Sequence, residues 1–280
     1  MTESNETNQD STHAGDLVLV TGGTRGIGRH LVEAFAGAGY TVLLTATRAA
    51  KAEEAAAEVA DSTGAVVRGT ALQVDSIESV GGLAASVAGV EESTGSVLRV
   101  VVNNAGRIES TEGPVWEADP QSLADVVGAN TLGPLLVVNA LAPRLLRVAE
   151  TTGTPTRIID LNSGSGSRGT VQYAAYAATK TSLFRLAQSV HHYGYEKGLR
   201  IFEMAPGVIH SDMTHSMPLH DGREQWTSEE DLKALTLALA SGDLDAYSGR
   251  FVRAGVDTRE SLVAEIPSLT DGSRKIAMAD

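Results

Sequence analysis

The 280-residue sequence predicts an α/β protein, a single domain built on a doubly wound parallel sheet with helices on both faces. Short apolar runs alternate with longer segments of helical periodicity almost to the C-terminus. Most of these runs are apolar throughout, as expected of strands that are covered on both faces. Repeated strand–helix–strand units imply right-handed crossovers and therefore parallel strands. No stretch rich in Pro, Gly or Ser is long enough to separate two domains.

The order of elements follows from these patterns. Apolar runs rich in Val, Leu and Ile predict strands at residues 17–21, 41–45, 97–102, 157–161, 199–204 and 249–253, with a further strand near 65–74. Apolar residues at spacings of three and four predict helices over 27–35, 49–60, 77–90, 131–148 and 173–197. Within the helix over 131–148, Pro134 suits a first turn, whereas Pro143 is expected to kink or interrupt the helix.

Composition narrows the classes of partner. With 22 basic and 35 acidic residues, the formal charge of −13 disfavours binding to nucleic acid and to anionic membrane surfaces. The chain has no cysteine, which excludes disulfides and thiolate chemistry. Residues 1–15 are polar, with neither a basic start nor an apolar run, so we expect a disordered leader and a cytoplasmic protein.

A glycine-rich loop follows the first predicted strand and opens the first helix. Gly22, Gly26 and Gly28 stand where a chain must turn tightly and let its backbone approach a pyrophosphate. The free N–H groups of the helix that begins near Gly26 would donate hydrogen bonds to the phosphates. A glycine-rich turn alone could be an ordinary loop, but the flanking strand and helix supply the context of a dinucleotide fingerprint. The sequence therefore predicts a Rossmann-type nucleotide site.

The end of the second predicted strand favours NADP(H) over NAD(H). NAD sites usually carry an Asp or Glu there to bind the ribose 2′-hydroxyl, but residues 45–48 read Thr-Ala-Thr-Arg. Arg48 and Arg25, which lies in the glycine-rich loop, would instead pair with a 2′-phosphate. Arg48 could also be a solvated residue at a helix start, with Glu53 and Glu54 within reach.

Tyr176 and Lys180 are four residues apart on the predicted helix over 173–197, which places both side chains on one face. A positive charge beside a phenol favours the phenolate, so we expect the pKa of Tyr176 to fall from its ordinary value towards the working pH. Pairs of this spacing are common in helices. Together with a nucleotide-binding turn, this pair predicts a general acid in hydride transfer to or from a carbonyl.

The motifs together resemble the short-chain dehydrogenase/reductase family over roughly residues 16–257, which we take as the catalytic domain. They follow the order and spacing of the family and comprise Thr21-Gly-x-x-x-Gly-x-Gly28, Asp75, Asn103-Asn-Ala-Gly106, Asn130, Ser163, Tyr176-x-x-x-Lys180 and Pro206-Gly207. Within the family, Arg25 and residues 45–47 are similar to those of NADPH-dependent ketoreductases of the 3-oxoacyl-thioester type.

The resemblance implies a catalytic group of Asn130, Ser163, Tyr176 and Lys180. Tyr176 would protonate the substrate oxygen, Ser163 would donate a hydrogen bond to the same oxygen, and Lys180 would hold the nicotinamide ribose. Asn130 would hold a water that links Lys180 to bulk solvent, although an Asn could also cap a helix. Two serines close to Ser163 are alternatives to it, and the spacing to Tyr176 favours Ser163.

The resemblance also implies cofactor contacts along the carboxyl ends of the strands. Asp75 would meet the adenine edge, although it could instead cap the helix that begins at Ser76. The remaining cofactor contacts that the resemblance implies are Gly22, Thr24, Arg25, Gly26, Ile27, Gly28, Thr47, Arg48, Asn104, Ala105, Gly106, Tyr176, Lys180, Pro206, Gly207, Ile209 and Ser211.

Residues 208–227 are expected to form a substrate lid, because they leave the carboxyl end of a strand, where open α/β sheets bind ligands. The lid holds His210, His215 and His220, which lack the i,i+4 spacing of a helical metal site, so no metal is predicted. Residues 258–280 form a C-terminal extension past the last strand. The extension puts in doubt the subunit packing that this edge forms in many tetrameric relatives, but a homodimer or homotetramer is still expected.

These features predict an NADPH-dependent enzyme that reduces a small-molecule ketone, such as a 3-oxoacyl thioester or a related carbonyl, to a secondary alcohol. The same chemistry run in the oxidative direction would make an NAD(P)-dependent alcohol dehydrogenase. A non-catalytic dinucleotide-binding scaffold is a third hypothesis, disfavoured because Ser163, Tyr176 and Lys180 are all present. Asp160, a carboxylate within an apolar strand, has no explanation in the sequence.

Overall fold

A computed structural model describes residues 13–277. Its seven strands form one parallel sheet in the order β3-β2-β1-β4-β5-β6-β7. The strands are β1 (Asp16–Val20), β2 (Thr41–Ala46), β3 (Val67–Ala71), β4 (Val97–Asn103), β5 (Thr156–Leu161), β6 (Leu199–Ala205) and β7 (Phe251–Arg253). The predicted fold class is confirmed. The strand order reverses between β1 and β4, and open α/β sheets bind ligands at the carboxyl ends of strands beside such a switch point.

Each predicted strand is present, and five of them match the predicted bounds within one residue at each end. The strand expected near 65–74 is the shorter β3, and the one expected over 249–253 begins only at Phe251. Gly249 has a φ of +75°, a left-handed conformation that belongs to a turn rather than a strand. The chain therefore enters β7 two residues later than its apolar pattern predicts.

Helices cover both faces of the sheet. They are α1 (Gly26–Gly37), α2 (Ala49–Thr63), α3 (Ile77–Gly81), α4 (Leu83–Thr94), α5 (Pro120–Val127), α6 (Gly133–Thr152), α7 (Ala174–Gly194), α8 (Asp212–His215), α9 (Glu229–Ser241) and α10 (Arg259–Glu265). The prediction of one helix over 77–90 was wrong, because α3 ends at Gly81 and α4 begins after Gly82. Two adjacent glycines lower the helix propensity at this point.

Helical structure runs without a break from Pro120 to Thr152, well beyond the predicted 131–148. Residues Gly128–Leu132 form a π-helical turn between α5 and α6. Pro134 has no N–H to donate to the carbonyl of Asn130 four residues earlier, and a wider turn also relieves the clash between its ring and that carbonyl. Asn130 therefore lies in the widened turn, with its carbonyl free of the usual helical bond.

Pro143 does not interrupt α6, contrary to the expectation from the sequence. A proline in a helix interior costs about 3 kcal/mol. On its buried side α6 carries apolar side chains that each contribute roughly 1.5–3 kcal/mol, at Val137, Leu141, Leu145 and Val148. Packing against the sheet therefore outweighs the cost of the proline, whose ring is exposed to solvent.

Two apolar clusters pack on the two faces of the sheet. One joins the strands to α1, α2 and α9 and includes Phe35, Leu44 and Phe202. The other joins them to α4, α6 and α7 and includes Leu141 and Ile201. The stretch over 120–152 is long and apolar enough to cross a membrane by length and composition, but its buried side packs in the second cluster.

Segments at both ends of the described chain pack on the domain. From the predicted leader, the ring of His13 stacks on Tyr40 with 4.2 Å between centroids, while residues 1–12 lie outside the described part of the chain. In the C-terminal extension, the Leu262 carbonyl accepts a hydrogen bond from the Tyr247 hydroxyl at 2.8 Å. The Phe251 N–H donates to the carbonyl of Arg274 at 2.9 Å, so the extension covers the outer edge of β7.

Candidate active site

Two neighbouring cavities open at the carboxyl ends of the central strands. The larger, of about 480 Å³, runs along the glycine-rich loop. The smaller, of about 170 Å³, lies between Ser163 and the lid residues 208–220. Tyr176 lines both cavities, whereas Lys180 lines only the larger and Ser163 only the smaller. The predicted acid therefore lies where the two cavities meet.

The glycine-rich loop is shaped by close backbone contacts. Gly22 and Gly26 have φ values of +67° and +54°, in the left-handed region that favours glycine. A Cβ at Gly28 would overlap the Gly22 carbonyl oxygen and the amide of Asn104. That amide donates to the carbonyls of Thr21 and Gly22 at 2.9 and 3.0 Å. The loop is thus held open beside the N-terminus of α1, where backbone N–H groups can bind phosphate.

Most of the predicted cofactor residues line the larger cavity: Gly22, Thr24, Arg25, Gly26, Ile27, Gly28, Thr47, Asp75, Asn104, Ala105, Gly106, Tyr176, Lys180, Pro206 and Ser211. Three do not. Arg48 is exposed beside this cavity at the start of α2, and Gly207 lines the smaller cavity. Ile209 is 2% exposed and belongs to the apolar core. The fit to a dinucleotide therefore rests on the loop and the ends of β1, β2, β4 and β6.

Arg25, one of the two arginines predicted to bind a 2′-phosphate, is paired with a lid residue. Its Nη1 lies 2.5 Å from Oδ2 of Asp212, and both side chains are about three-quarters exposed. Exposed ion pairs of this kind contribute little to stability. The contact does tie the first turn of α8 to the glycine-rich loop across the cavity mouth.

Three of the predicted catalytic residues, Ser163, Tyr176 and Lys180, meet at the junction of the two cavities, whereas Asn130 is buried and lines neither cavity. Lys180 Nζ lies 5.5 Å from the centroid of the Tyr176 ring and donates to the Leu161 carbonyl at 2.5 Å. Ser163 Oγ shares a hydrogen bond of 2.7 Å with the neighbouring Ser165. Asn130 Oδ1 accepts from the Arg107 N–H at 2.7 Å, and its Nδ2 donates to the Arg107 carbonyl at 2.8 Å.

The direction of the Tyr176 pKa differs from the prediction. Burial, together with the negative charge of Glu109, raises the pKa of Tyr176, and the Ser163 hydroxyl opposes that rise. Burial lowers the pKa of Lys180 to about 8, while the nearby Glu203 and Asp160 act to raise it. The prediction compared only the two residues on the helix. In the folded chain, loss of hydration is the largest effect on both groups.

Glu109 supports α7 but was missed by sequence reasoning. Its buried carboxylate accepts hydrogen bonds from the N–H groups of Ala175 and Tyr176 at 2.7 and 3.1 Å. These N–H groups lie in the first turn of the helix, where intrahelical partners are lacking and negative charge is favourable. The signal in the sequence is faint, a glutamate three residues after Gly106.

Glu112 links the lid to the rest of the site. Its Oε2 accepts a hydrogen bond from the Tyr173 hydroxyl at 3.1 Å and another from the Leu219 N–H at 3.0 Å. Met217 of the lid is buried. The lid predicted over 208–227 therefore lies docked over the smaller cavity, and no pattern in the sequence pointed to its anchor.

Arg253 is a further cavity residue that the sequence did not single out. It is the last residue of β7 and lines the smaller cavity together with Ser163 and Tyr176. A Cβ at Gly164 would lie 3.3 Å from Nη2 of Arg253, so the guanidinium lies against the segment that carries Ser163. The smaller cavity thus carries a cation at its wall.

The histidines of the lid form an aromatic group instead of a ligand set. His210 stacks on Trp226 at 3.8 Å between centroids, and its Nδ1 lies 3.2 Å from Nε2 of His215. His220 is 6.3 Å from Trp226 in an edge-to-face arrangement. Among residues 13–277, no group of three or more His, Asp or Glu side chains is arranged to hold a metal ion.

The sequence is similar to those of known proteins. The family model of short chain dehydrogenases matches residues 16–221. A short chain dehydrogenase of Monascus purpureus is 30% identical over 266 residues, covering 93% of this chain and 87% of that protein. The 3-oxoacyl-[acyl-carrier-protein] reductase of Aquifex aeolicus is 29% identical over 208 residues, covering 71% of this chain and 76% of that protein.

The solved structures include similar chains. The complex of Pseudomonas aeruginosa RhlG with NADP in its active site is 25% identical, with a TM-score of 0.76 over 86% of this chain and 94% of that one. The family match spans well over half of this sequence and includes the glycine-rich loop, Ser163, Tyr176 and Lys180. The chain therefore belongs to the short-chain dehydrogenase/reductase family of oxidoreductases.

Proposed function

We propose that this chain is an NADP(H)-dependent reductase that converts a small-molecule ketone, such as a 3-oxoacyl thioester or a related carbonyl, to a secondary alcohol. The observation that carries the proposal is the position of Tyr176 at the junction of the two cavities, with Ser163 on one side and Lys180 on the other. A bound nicotinamide would supply the hydride from the larger cavity. The substrate carbonyl would enter the smaller one.

Each catalytic side chain has a separate task in this proposal. The Tyr176 hydroxyl gives its proton to the substrate oxygen, and its raised pKa keeps it protonated until negative charge develops there. The Ser163 hydroxyl donates a hydrogen bond to the same oxygen, as an oxyanion donor does. Lys180 binds the ribose on the cofactor side, and Asn130, buried in the π turn, would hold a water through which Lys180 exchanges protons with solvent.

The preference for NADP(H) rests on charge at the end of β2. No carboxylate follows this strand at residues 45–48, and Thr47 and Arg25 line the larger cavity. Arg48 lies one residue beyond Thr47, exposed and free to turn towards a 2′-phosphate. The NADP in the RhlG complex supports the same cofactor for this chain.

Two surfaces bear on the proposed homodimer or homotetramer. Val127, Leu132 and Leu135 are 39–48% exposed along the continuous α5–α6 stretch, an apolar face suited to a second subunit. The edge of β7 is covered by the C-terminal extension, which leaves the helical face as the better interface. Sedimentation velocity distinguishes a monomer from either assembly.

NADPH-dependent turnover fits the cytoplasmic location expected from the sequence.

The cation in the smaller cavity points to substrates that carry an anionic group beside the ketone. Arg253 is exposed at the cavity wall next to Ser163, in a chain with a formal charge of −13. A carboxylate or phosphate on the substrate would bind its guanidinium through paired hydrogen bonds. We therefore place the anionic end of the substrate at Arg253 and the ketone at Tyr176.

Turnover tests the proposal directly. We expect the purified protein to oxidise NADPH in the presence of ketones or 3-oxoacyl thioesters, measured by absorbance of the reduced nicotinamide. Tyr176→Phe should lower kcat by about 10²–10⁴-fold, because the general acid is lost. Tyr193→Phe, an exposed position on the same helix, should not. Equal rates for Tyr176→Phe and the native protein would contradict Tyr176 as the general acid. Alcohol oxidation faster than ketone reduction would favour an alcohol dehydrogenase. NADPH binding without turnover would favour a non-catalytic dinucleotide-binding scaffold.

Reversing the charge at Arg48 tests the cofactor assignment. We expect Arg48→Asp to raise the KM for NADPH by about 10-fold or more, because a charge-assisted bond to the phosphate is replaced by repulsion, and to change the KM for NADH much less. Lys51→Asp is the matched control. It makes the same change of charge one turn along α2, at a lysine that pairs with Glu54 at 2.5 Å. Similar changes for both cofactors would show that Arg48 does not bind the 2′-phosphate.

The pH dependence of reduction reports the charge of Glu109. Reduction requires the protonated phenol, so its rate falls as the pH rises through the pKa of Tyr176. Because Glu109 raises that pKa, Glu109→Gln should move the midpoint to lower pH, while the amide oxygen can still accept the bonds from α7. Glu112→Gln should leave the midpoint in place, since Glu112 contacts Tyr173 and the lid. If Glu109→Gln has the same midpoint as the native protein, the charge of Glu109 does not raise the pKa of Tyr176.

Paired substrates test Arg253. We expect Arg253→Gln to raise the KM for a 3-oxo acid by about 10-fold or more, because a hydrogen bond to a charged group is lost. The KM for the methyl ester of the same acid should stay nearly unchanged. Arg223→Gln is the matched control, because Arg223 bonds the Gln225 carbonyl within the lid and does not line either cavity. An equal rise for acid and ester would contradict an anion site at Arg253.

A further inference from the structure

Two carboxyl groups are buried side by side behind the catalytic lysine. Asp160 of β5 and Glu203 of β6 are register partners on neighbouring strands, and both are 0% exposed. Strand alternation places them on the same face as Ile158 and Ile201, the face that α6 and α7 cover. Acidic residues are almost never fully buried unless they are paired or hydrogen-bonded, so this arrangement needs a physical explanation.

Each carboxyl has one oxygen satisfied and one free. Asn103 Nδ2 donates to Oδ1 of Asp160 at 2.7 Å, and Asn162 Nδ2 donates to Oε2 of Glu203. The remaining oxygens, Asp160 Oδ2 and Glu203 Oε1, are buried and have no donor among the side chains of residues 13–277. A single proton held between the two carboxyl groups would satisfy both oxygens.

Charge counting leads to the same conclusion. The charged group that faces the two acids from α7 is Lys180, which acts on both. Their neighbour on β4 is the neutral Asn103, and the residue opposite Glu203 on β7 is Phe251. Two carboxylates against one ammonium would leave an uncompensated buried charge, which is costly, whereas one carboxylate and one carboxylic acid balance the lysine.

The titration of the two acids is consistent with a shared proton. Burial raises the pKa of Asp160 to about 6. Burial, followed by the charge of Asp160, raises the pKa of Glu203 well above its ordinary value. Glu203 is therefore the group that holds the proton, and it donates to Asp160. Both acids also act against the burial that lowers the pKa of Lys180.

We propose that Asp160 and Glu203 form an acid pair that shares one proton and supplies the single countercharge of Lys180. They are positioning residues, since they act on the reaction through Lys180. Either carboxyl can carry the negative charge when the other is replaced by its amide, because the asparagine donors remain on both. The effect on turnover rests on the proposed function, but the shared proton does not.

The dependence of stability on pH tests the shared proton without any cofactor or substrate. Between about pH 6 and pH 7 the unfolded chain has ionised both acids, while the folded chain has ionised Asp160 and retains the proton on Glu203. The folded state thus binds more protons, and stability from the pair falls as the pH rises. For each pH unit, the unfolding constant of the native protein should rise by up to about tenfold more than that of the double variant Asp160→Asn/Glu203→Gln. This is the effect of one proton.

Two further variants keep this test decisive. Glu203→Gln alone removes the acid that holds the proton and should also abolish the excess slope, so the test survives if the double variant does not fold. Glu91→Gln alters another buried acid, which is paired with Arg144 and is not among the charges that act on Lys180, and should keep the native slope. Equal slopes in the native protein and Glu203→Gln would overturn the shared proton.

The pH profile of turnover tests the countercharge. Lys180, with a pKa of about 8, loses its proton before Tyr176, whose pKa is raised, so the first fall in the reduction rate with rising pH belongs to Lys180. Removal of the Lys180 countercharge should move the midpoint of that first fall to lower pH. We expect the midpoint to move in the double variant and to stay near the native value in Asp160→Asn and in Glu203→Gln. A single variant that moves it as far as the double variant would overturn the proposal that either acid suffices. Absence of turnover in the native protein, with the stability slope intact, would count against the proposed function alone.

Discussion

The docking of α7 against the carboxyl ends of β5 and β6 is the contact on which the site depends. Lys180 Nζ donates to the Leu161 carbonyl, and a side chain at position 166 would come within 2.6 Å of the Lys180 backbone, so glycine there allows the close approach. At the other end of the contact, Glu109 holds the first turn of the helix. Together these contacts leave Tyr176 between the two cavities.

Loss of hydration sets the protonation of the groups in this contact. It raises the pKa of Tyr176 and lowers that of Lys180, in each case favouring the neutral form. A neutral phenol is the form that a general acid requires. A charged lysine at the same depth needs a countercharge, and the acids on β5 and β6 lie where one can be supplied. The burial of the Lys180 ammonium thus explains why β5 and β6 carry the acids Asp160 and Glu203.

Residues of the predicted lid line both cavities. Asp212 of the predicted lid pairs with Arg25 of the glycine-rich loop, and the Leu219 N–H donates a hydrogen bond to Glu112. These two contacts are exposed, unlike the buried contacts beneath α7, although Met217 of the same segment is buried.

Sequence alone determined the order of the strands along the chain, the glycine-rich loop and the spacing of Tyr176 and Lys180, because apolar periodicity and turn chemistry act between residues close along the chain. It also favoured Ser163 by its spacing to Tyr176. It did not predict α9 or α10. Only the tertiary structure decided what surrounds these groups. Asp160 and Glu203 are 43 residues apart and meet through strand pairing, and Glu109 reaches α7 across more than sixty residues. The direction of the Tyr176 pKa depends on such neighbours and on burial, which exist only once the sheet has formed and the helices have packed on it.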